Sequence, residues 1–291
     1  MNVAVECGFY DVRTSDGETS KAVEELLSEL EGDAAEVFRR IDASGEPPSG
    51  GSHDRDVLAA YLALQYTRTP LQRERMLFPE RLATYLDGQE LTLERVVQYL
   101  TEVHLGFEPS PNEAQGAFDF ASVALQEPGV LTPELSIRTM LGSLDQLLPI
   151  FDGLCRTLEH ERKGRLITSD TPVVIWREPT VRDKFEGIGL ANADEIRFPL
   201  DPQKQLVLGR KTRPGSVRIS PDRAEACNAD LAAGCHRFVV ADPGAAQRVA
   251  AMSLKPHRPV LRFNSGPLYE RQPDGSDVFK GEVLHTWVPR R

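Results

Sequence analysis

Apolar residues recur at three- and four-residue spacing through the first half of the chain. In the second half that spacing gives way to short β-branched runs. From Ser20, the residues Val23, Leu26, Leu27, Leu30, Ala34, Val37, Phe38 and Ile41 mark one side of a helix. Glu24, Glu25, Glu29, Glu31 and Glu36 fall mostly between them as a solvated acidic face. Gly32 weakens the middle of this helix without ending it. Before it, Val3 to Val12 alternates weakly, as a short strand would, and Asp16-Gly17 makes a turn. Residues 43–53, ASGEPPSGGSH, are rich in Pro, Gly and Ser and read as a mobile loop. A second helix is expected from about Asp54, a good N-cap, and it must stop near Thr69 because Pro70 follows. LQRERMLF is a further helical segment. Thr92 caps LERVVQYLTEVHLG, and Asn112 opens EAQGAFDFASVALQ. Thr132 and Pro133 open a run to about Glu161, which Pro149 should kink or split.

The pattern changes at Gly164. Arg165 to Trp176, RLITSDTPVVIW, is the most strand-like run, and it carries a polar Thr168-Ser169-Asp170 step. Ile196 to Leu200 and Gln205 to Leu208 flank a turn at Asp201-Pro202, predicting a hairpin. Ser220-Pro221-Asp222 supplies an N-cap, a first-turn proline and an acid against the helix dipole. Pro243 opens a short helix. The remainder reads as loops with two strands, PVLRF and EVLHTW. The expected fold is α+β, a mainly helical first half packed against a small, mostly antiparallel sheet from the second half. A single domain over residues 1–291 is expected, with a soft seam near 164 and a loop-rich extension over 242–291.

Composition narrows the function classes. The chain has 291 residues and a formal net charge of -10, which argues against a bulk nucleic-acid surface or a grip on anionic membrane. Cys7, Cys155, Cys227 and Cys235 are scattered with no C-x-x-C, as expected for reduced thiols in a cytoplasmic protein. Cys227 and Cys235 read as core residues. The N-terminus lacks the charged, apolar and small-residue regions of a signal peptide, and no run approaches the ~20 apolar residues of a membrane span.

Candidate chemistry centres on one helix and one strand. Extending the apolar stripes of the second helix brings Gln65 and Arg68 to its core-facing side, where an arginine needs a partner. The competing reading has Arg68 snorkelling outward at the helix end. Asp170, at a strand end before Thr171-Pro172, reads as a site carboxylate or as an Asx-turn. The expectation is that Asp170 and Arg68 converge, as candidate catalytic residues or as a structural ion pair. Gln65, Thr168, Ser169 and Asn228 would add binding groups. His53-Asp54 lacks the further ligands of a metal phosphohydrolase, so no metal site is expected.

Taken in order, several segments resemble one family: Val3-Ala4-x-Glu6 with Phe9-Tyr10, Leu64-Gln65-x-x-Arg68-Thr69-Pro70, Ile167-Thr168-Ser169-Asp170-x-Pro172-Val173, Ile196-x-Phe198-Pro199-Leu200-x-Pro202, and Asn228 before Arg237-Phe238-Val239. Their order and spacing are similar to the DUF4238 family, a widespread bacterial domain of unknown function, over about residues 1–241. Family members usually begin earlier, with a His-Tyr-Val-Pro-type segment. Its absence here is expected to reflect a misassigned start or a natural short form, and to leave a sheet edge exposed for self-association. The resemblance brings no activity, cofactor or partner. Three functions follow as expectations. The first is a noncatalytic binding or regulatory protein, stress- or defence-related. The second is a nuclease- or phosphodiesterase-like hydrolase using Asp170, Arg68 and a divalent metal. The third is a truncated, inactive family member.

Overall fold

In a computed structural model, the structure describes residues 12–13, 19–20, 22–125, 133–179, 188–190, 192–210, 212–252, 254, 260–272, 274 and 276–288. The chain is α+β, with most helices in the first half. Two short strands, β1 (Val12–Arg13) and β2 (Thr19–Ser20), pair antiparallel. The strand and turn expected at Val3–Val12 and Asp16-Gly17 fall almost wholly outside the described residues.

Helix α1 (Ala22–Ser44) turns Leu27, Ala34, Val37 and Ile41 inward, as its spacing predicted. Helix α2 (His53–Thr67) starts one residue before the expected position. Its N-cap is Ser52, whose hydroxyl accepts from the Arg55 N–H. Asp54 instead pairs with Arg40 of α1 at 2.7 and 2.8 Å. The carboxylate prefers a guanidinium across the helix pair to an amide of its own first turn, because the charged bond is the stronger one. Helix α3 (Pro70–Leu86) begins with Pro70, and α4 (Leu93–Tyr99) is capped by Thr92. The helix expected to run on through Val103 and His104 continues as a π-helical segment, Leu100–His104. Helix α5 (Pro111–Leu125) opens at Ser110 rather than Asn112: the Ser110 hydroxyl accepts from the Glu113 N–H.

The largest departure lies at the end of α6 (Pro133–Gly153). The predicted run to Glu161 stops there, and residues 155–160 form strand β3 (Cys155–His160). The change from helix to strand therefore comes about ten residues before Gly164. In CRTLEH, Arg156 and Leu158 share one side and Glu159 the other, an alternation that a strand satisfies and a helix would not. RLITSDTPVVIW does not form one strand. Thr168–Ser169 (β4) pairs with Val239–Val240 (β9), while Val174–Trp176 (β5) joins another sheet, because the Asp170–Pro172 step interrupts the ladder. The expected hairpin is present as β6 (Glu195–Asp201) and β7 (Lys204–Gly209), and β8 (Gly215–Arg218) follows.

These strands form a five-stranded sheet in the order β5-β6-β7-β3-β8. All its pairings are antiparallel except β3 with β8. RLITSDTPVVIW thus supplies an edge strand of this sheet. One sheet face presents Leu158, Ile196, Phe198, Leu206 and Leu208 to α1, α2 and α6, forming the main core. The other face is covered by α7 (Pro221–Gly234), which is capped by Ser220 as predicted.

A second apolar cluster joins α3, α4 and α5 to Leu261 and Phe263. The two strands expected near the C-terminus are longer than predicted. After the short α8 (Ala246–Ala251), β10 (Arg262–Arg271) and β11 (Asp277–Trp287) form a hairpin whose inner end lies against α5. Gly116 permits that approach: a Cβ there would sit 2.8 Å from Leu284 Cδ1 and 3.2 Å from Phe263 Cβ. Residues 242–291 are therefore less loop-rich than their prolines suggested.

Candidate functional site

The residues nominated from sequence divide into two places. Arg68 pairs with Glu31 of α1 at 2.6 Å, and half-buried Gln65 lies one turn earlier on α2. Asp170 accepts from the backbone N–H groups of His236 (3.0 Å) and Arg237 (2.7 Å), just beyond α7. The structure does not bring Arg68 and Asp170 together. The physical reason is local: α1 already presents an acid to Arg68, and the turn after α7 offers two amides to Asp170, which needs no cation to be satisfied.

Asp170 belongs with Asn228. The buried Asn228 accepts from the Ile167 N–H at 3.2 Å and donates to the Arg165 carbonyl at 2.7 Å. Ser169 accepts from the Thr171 N–H, and Thr168 pairs with Val240. Four of the six nominated residues thus stitch segment 165–171 to α7 and its following loop. Beneath them Ile167, Val174 and Leu231 form a small apolar cluster.

Between α7 and the sheet lies a second polar group that sequence reasoning missed. Arg197 donates to Glu195 (2.6 Å) and Asp230 (2.7 Å), and stands 4.5 Å from the Trp176 ring centroid. Arg223 donates to Glu195 (2.7 Å) and Glu159 (3.2 Å). Gln205 donates to Glu159 and to Cys227 Sγ. Burial pushes the Glu195 carboxyl up, but Arg197 and Arg223 outweigh it and hold the group below the usual carboxylate range. Burial pushes the Cys227 thiol up, keeping it protonated. Cys227 and Cys235 are both buried, as expected. The two arginines hold three carboxylates, Glu159, Glu195 and Asp230, so this layer joins sheet to helix with each of these groups paired.

The third place is a cavity of about 300 Å³ lined by Glu46, Ser49, Gly50, Arg55, Cys155, Arg156 and Gly215, with Pro47, Pro48 and Pro214. Arg156, on the helix-facing side of β3, is only 2% exposed. Its Nη2 donates to the carbonyls of Arg55 and Phe151, both at 3.3 Å. Its Nε and Nη1 have no hydrogen-bond acceptor. The nearest carboxylate, Asp152, is 3.7 Å away and gives its short bond, 2.7 Å, to Arg55 Nε. Arg55 also donates to the carbonyls of Asp152 and Leu154. Burial, followed by the charge of Arg55, drags the Arg156 guanidinium down to about 10. A buried cation with unsatisfied N–H groups is a rarity that calls for a cause. No signal in the sequence marked it: the apolar residues of CRTLEH, Cys155 and Leu158, are three apart, and only the strand puts Arg156 on the side of Leu158.

Among the described residues, no three His, Cys, Asp or Glu side chains gather as a metal would require. Nor, among them, is any helix long and apolar enough to cross a membrane. Fold and sites together define an α+β protein with a helix-covered mixed sheet, an ion-pair layer between sheet and α7, and a cavity at the sheet's end. The chain belongs to the family described as Protein of unknown function (DUF4238), whose model matches residues 1–245. Among curated proteins and among solved structures, none matches the chain.

Proposed function

We propose that the protein is a noncatalytic binding or regulatory protein, and that its ligand occupies the cavity between loop 46–50, α2 and β3. One observation carries this reading: Arg156 lines the cavity while two of its N–H-bearing atoms, closed off from solvent, have no acceptor, so a ligand there would draw the guanidinium toward it. Natural folds rarely retain such a group for stability alone, since leaving it unsatisfied costs about 1–3 kcal/mol. The cavity stands at the N-terminal end of α2, where the helix dipole, Arg55 and Arg156 favour an anionic group against the opposing charges of Asp54 and Asp56 in the first turn. The volume lies at the small end of the range for ligand pockets, so the ligand is a small metabolite. The acidic composition and scattered thiols support a cytoplasmic location. Strand β8 ends the sheet with Val217 exposed and supports self-association through that edge.

The test is thermal unfolding of the full chain with millimolar acetate, succinate or phosphate, alongside Mg²⁺ and Mn²⁺ arms. The binding reading expects an anion-dependent rise in Tm that Ser49→Trp, which fills the cavity from its exposed loop, abolishes. A rise that Ser49→Trp leaves intact overturns the assignment of the cavity. Stabilisation by a divalent metal that Asp170→Asn removes supports the hydrolase instead.

A further inference from the structure

Strand β8 closes the five-stranded sheet, and among the described residues no strand lies on its other side. The Ile219 N–H donates to the His160 carbonyl at 2.9 Å, so along the alternating strand the backbone groups of Ser216 and Arg218 point outward. Ser216, Val217 and Arg218 are all exposed. The charge around this edge is opposite to that of the whole chain. Residues 202–221 carry Lys204, Arg210, Lys211, Arg213 and Arg218 with no Asp or Glu, although the net charge is -10. Lys204 is answered by Asp42 and Asp201, and Arg210 acts on Glu270. Arg213, just before β8, and Arg218, at its end, are exposed and pair with no acid among the described residues. Arg162 and Lys163, also exposed, follow β3 at the end of the sheet where His160 lies beside Arg218. Glu46 stands at the opposite end of the strand: a Cβ on Gly215 would sit 3.8 Å from its Oε2. Asp222 lies beyond the strand, in the first turn of α7.

A free edge of alternating N–H and C=O groups takes a further strand. A second copy's β8 would bring Arg213 and Arg218 again and leave the charge unanswered. A nucleic acid would answer the charge but make no use of the ladder. Side chains opposite one another across a strand pair share a face, and Val217 and Arg218 point to opposite faces. The matching strand therefore alternates apolar and acidic residues, with its acids toward Arg218 and away from Glu46. We propose that the β8 edge binds an extended peptide of this acidic, alternating kind, from a partner protein, as an added strand. The site goes beyond the cavity reading and does not require the cavity to be occupied.

The experiment titrates the full chain into a dye-labelled hexapeptide alternating valine and glutamate, read by fluorescence anisotropy. Three labelled controls run beside it. One has lysine in place of glutamate. One is the glutamate peptide N-methylated at every residue, which keeps the charge and blocks the ladder. The third is a single-stranded hexanucleotide. The glutamate peptide is expected to bind at least tenfold more tightly than each control. Arg218→Glu, an exposed substitution, should weaken it at least fivefold while the urea midpoint of the protein stays in place. An N-methylated peptide or a hexanucleotide that binds as tightly overturns the added strand, the surface then being a patch for any polyanion. Unchanged affinity in Arg218→Glu overturns it as well. So does the absence of peptide binding, and a dimer seen by sedimentation would then assign the edge to a second copy. The cavity reading survives each of these failures, because Ser49→Trp tests it separately.

Discussion

Replacing Arg156 with methionine should make the ligand-free protein more stable. The guanidinium sits in the helix-facing layer of the sheet with two long carbonyl bonds, a 3.7 Å approach to a shared carboxylate, and two N–H-bearing atoms without acceptors. The unsatisfied atoms cost about 1–3 kcal/mol, while the two stretched bonds return roughly 1 kcal/mol together. Methionine is unbranched, fills a similar channel and has no polar hydrogen to satisfy. Asp152 keeps its short bond to Arg55 and is not stranded. The net gain is about 0–2 kcal/mol, within the range seen when buried charges give way to apolar residues. At roughly 2–4 °C per kcal/mol for a chain of this size, Tm should rise by up to about 8 °C. Urea unfolding of wild type and Arg156→Met reads the difference as a shift in midpoint at constant slope. A loss of 2 kcal/mol or more in the variant would refute the argument, because Arg156 would then be holding the sheet to α2 and α6 rather than awaiting a ligand.

Asn228→Ala should cost about 1–3 kcal/mol by urea unfolding, since it strands the buried Ile167 N–H and leaves the Arg165 carbonyl only its 3.3 Å bond from Arg248. The double-mutant cycle of Arg68→Ala and Asp170→Ala should show a coupling within about 0.5 kcal/mol of zero, because each residue has its own partners. Glu195 governs part of the acid limb. Its folded carboxyl titrates below its unfolded value, so its contribution is complete above the unfolded pKa and disappears as pH falls through the folded one. Glu195→Gln should therefore flatten the decline in urea midpoint between about pH 5 and pH 3. An unchanged slope would mean that the arginines do not hold the carboxylate.

Local signals with a single physical cause were legible in the sequence. Thr92 and Ser220 cap the helices assigned to them, Pro70 ends one helix and starts the next, and the 195–209 hairpin forms where turn chemistry placed it. What was not legible depended on partners distant in sequence. Asp54 looked like an N-cap until α1 brought Arg40 beside it. Arg68 and Asp170 each looked in need of the other because neither Glu31 nor the amides after α7 could be foreseen as neighbours. Cys155–His160 was absorbed into a helix because it follows a helix of 21 residues and its apolar Cys155 and Leu158 keep a three-residue spacing, which hid the buried Arg156. The family segments around Ile167–Pro172 and Asn228 converge in space, and they do so as a stitch between strand and helix.

The account stands on occupation of the cavity beside Arg156, and Cys155 reports on it directly. Cys155 is partly exposed and lines the cavity, whereas Cys227 and Cys235 are buried. Iodoacetamide labelling of Cys155, followed by peptide mass spectrometry of the full chain, gives a rate specific to that wall. A stabilising small ligand should slow this labelling at least severalfold, and Arg156→Met should abolish the protection. A ligand that raises Tm while Cys155 labels at its free rate would contradict the account, because binding would then lie elsewhere on the molecule.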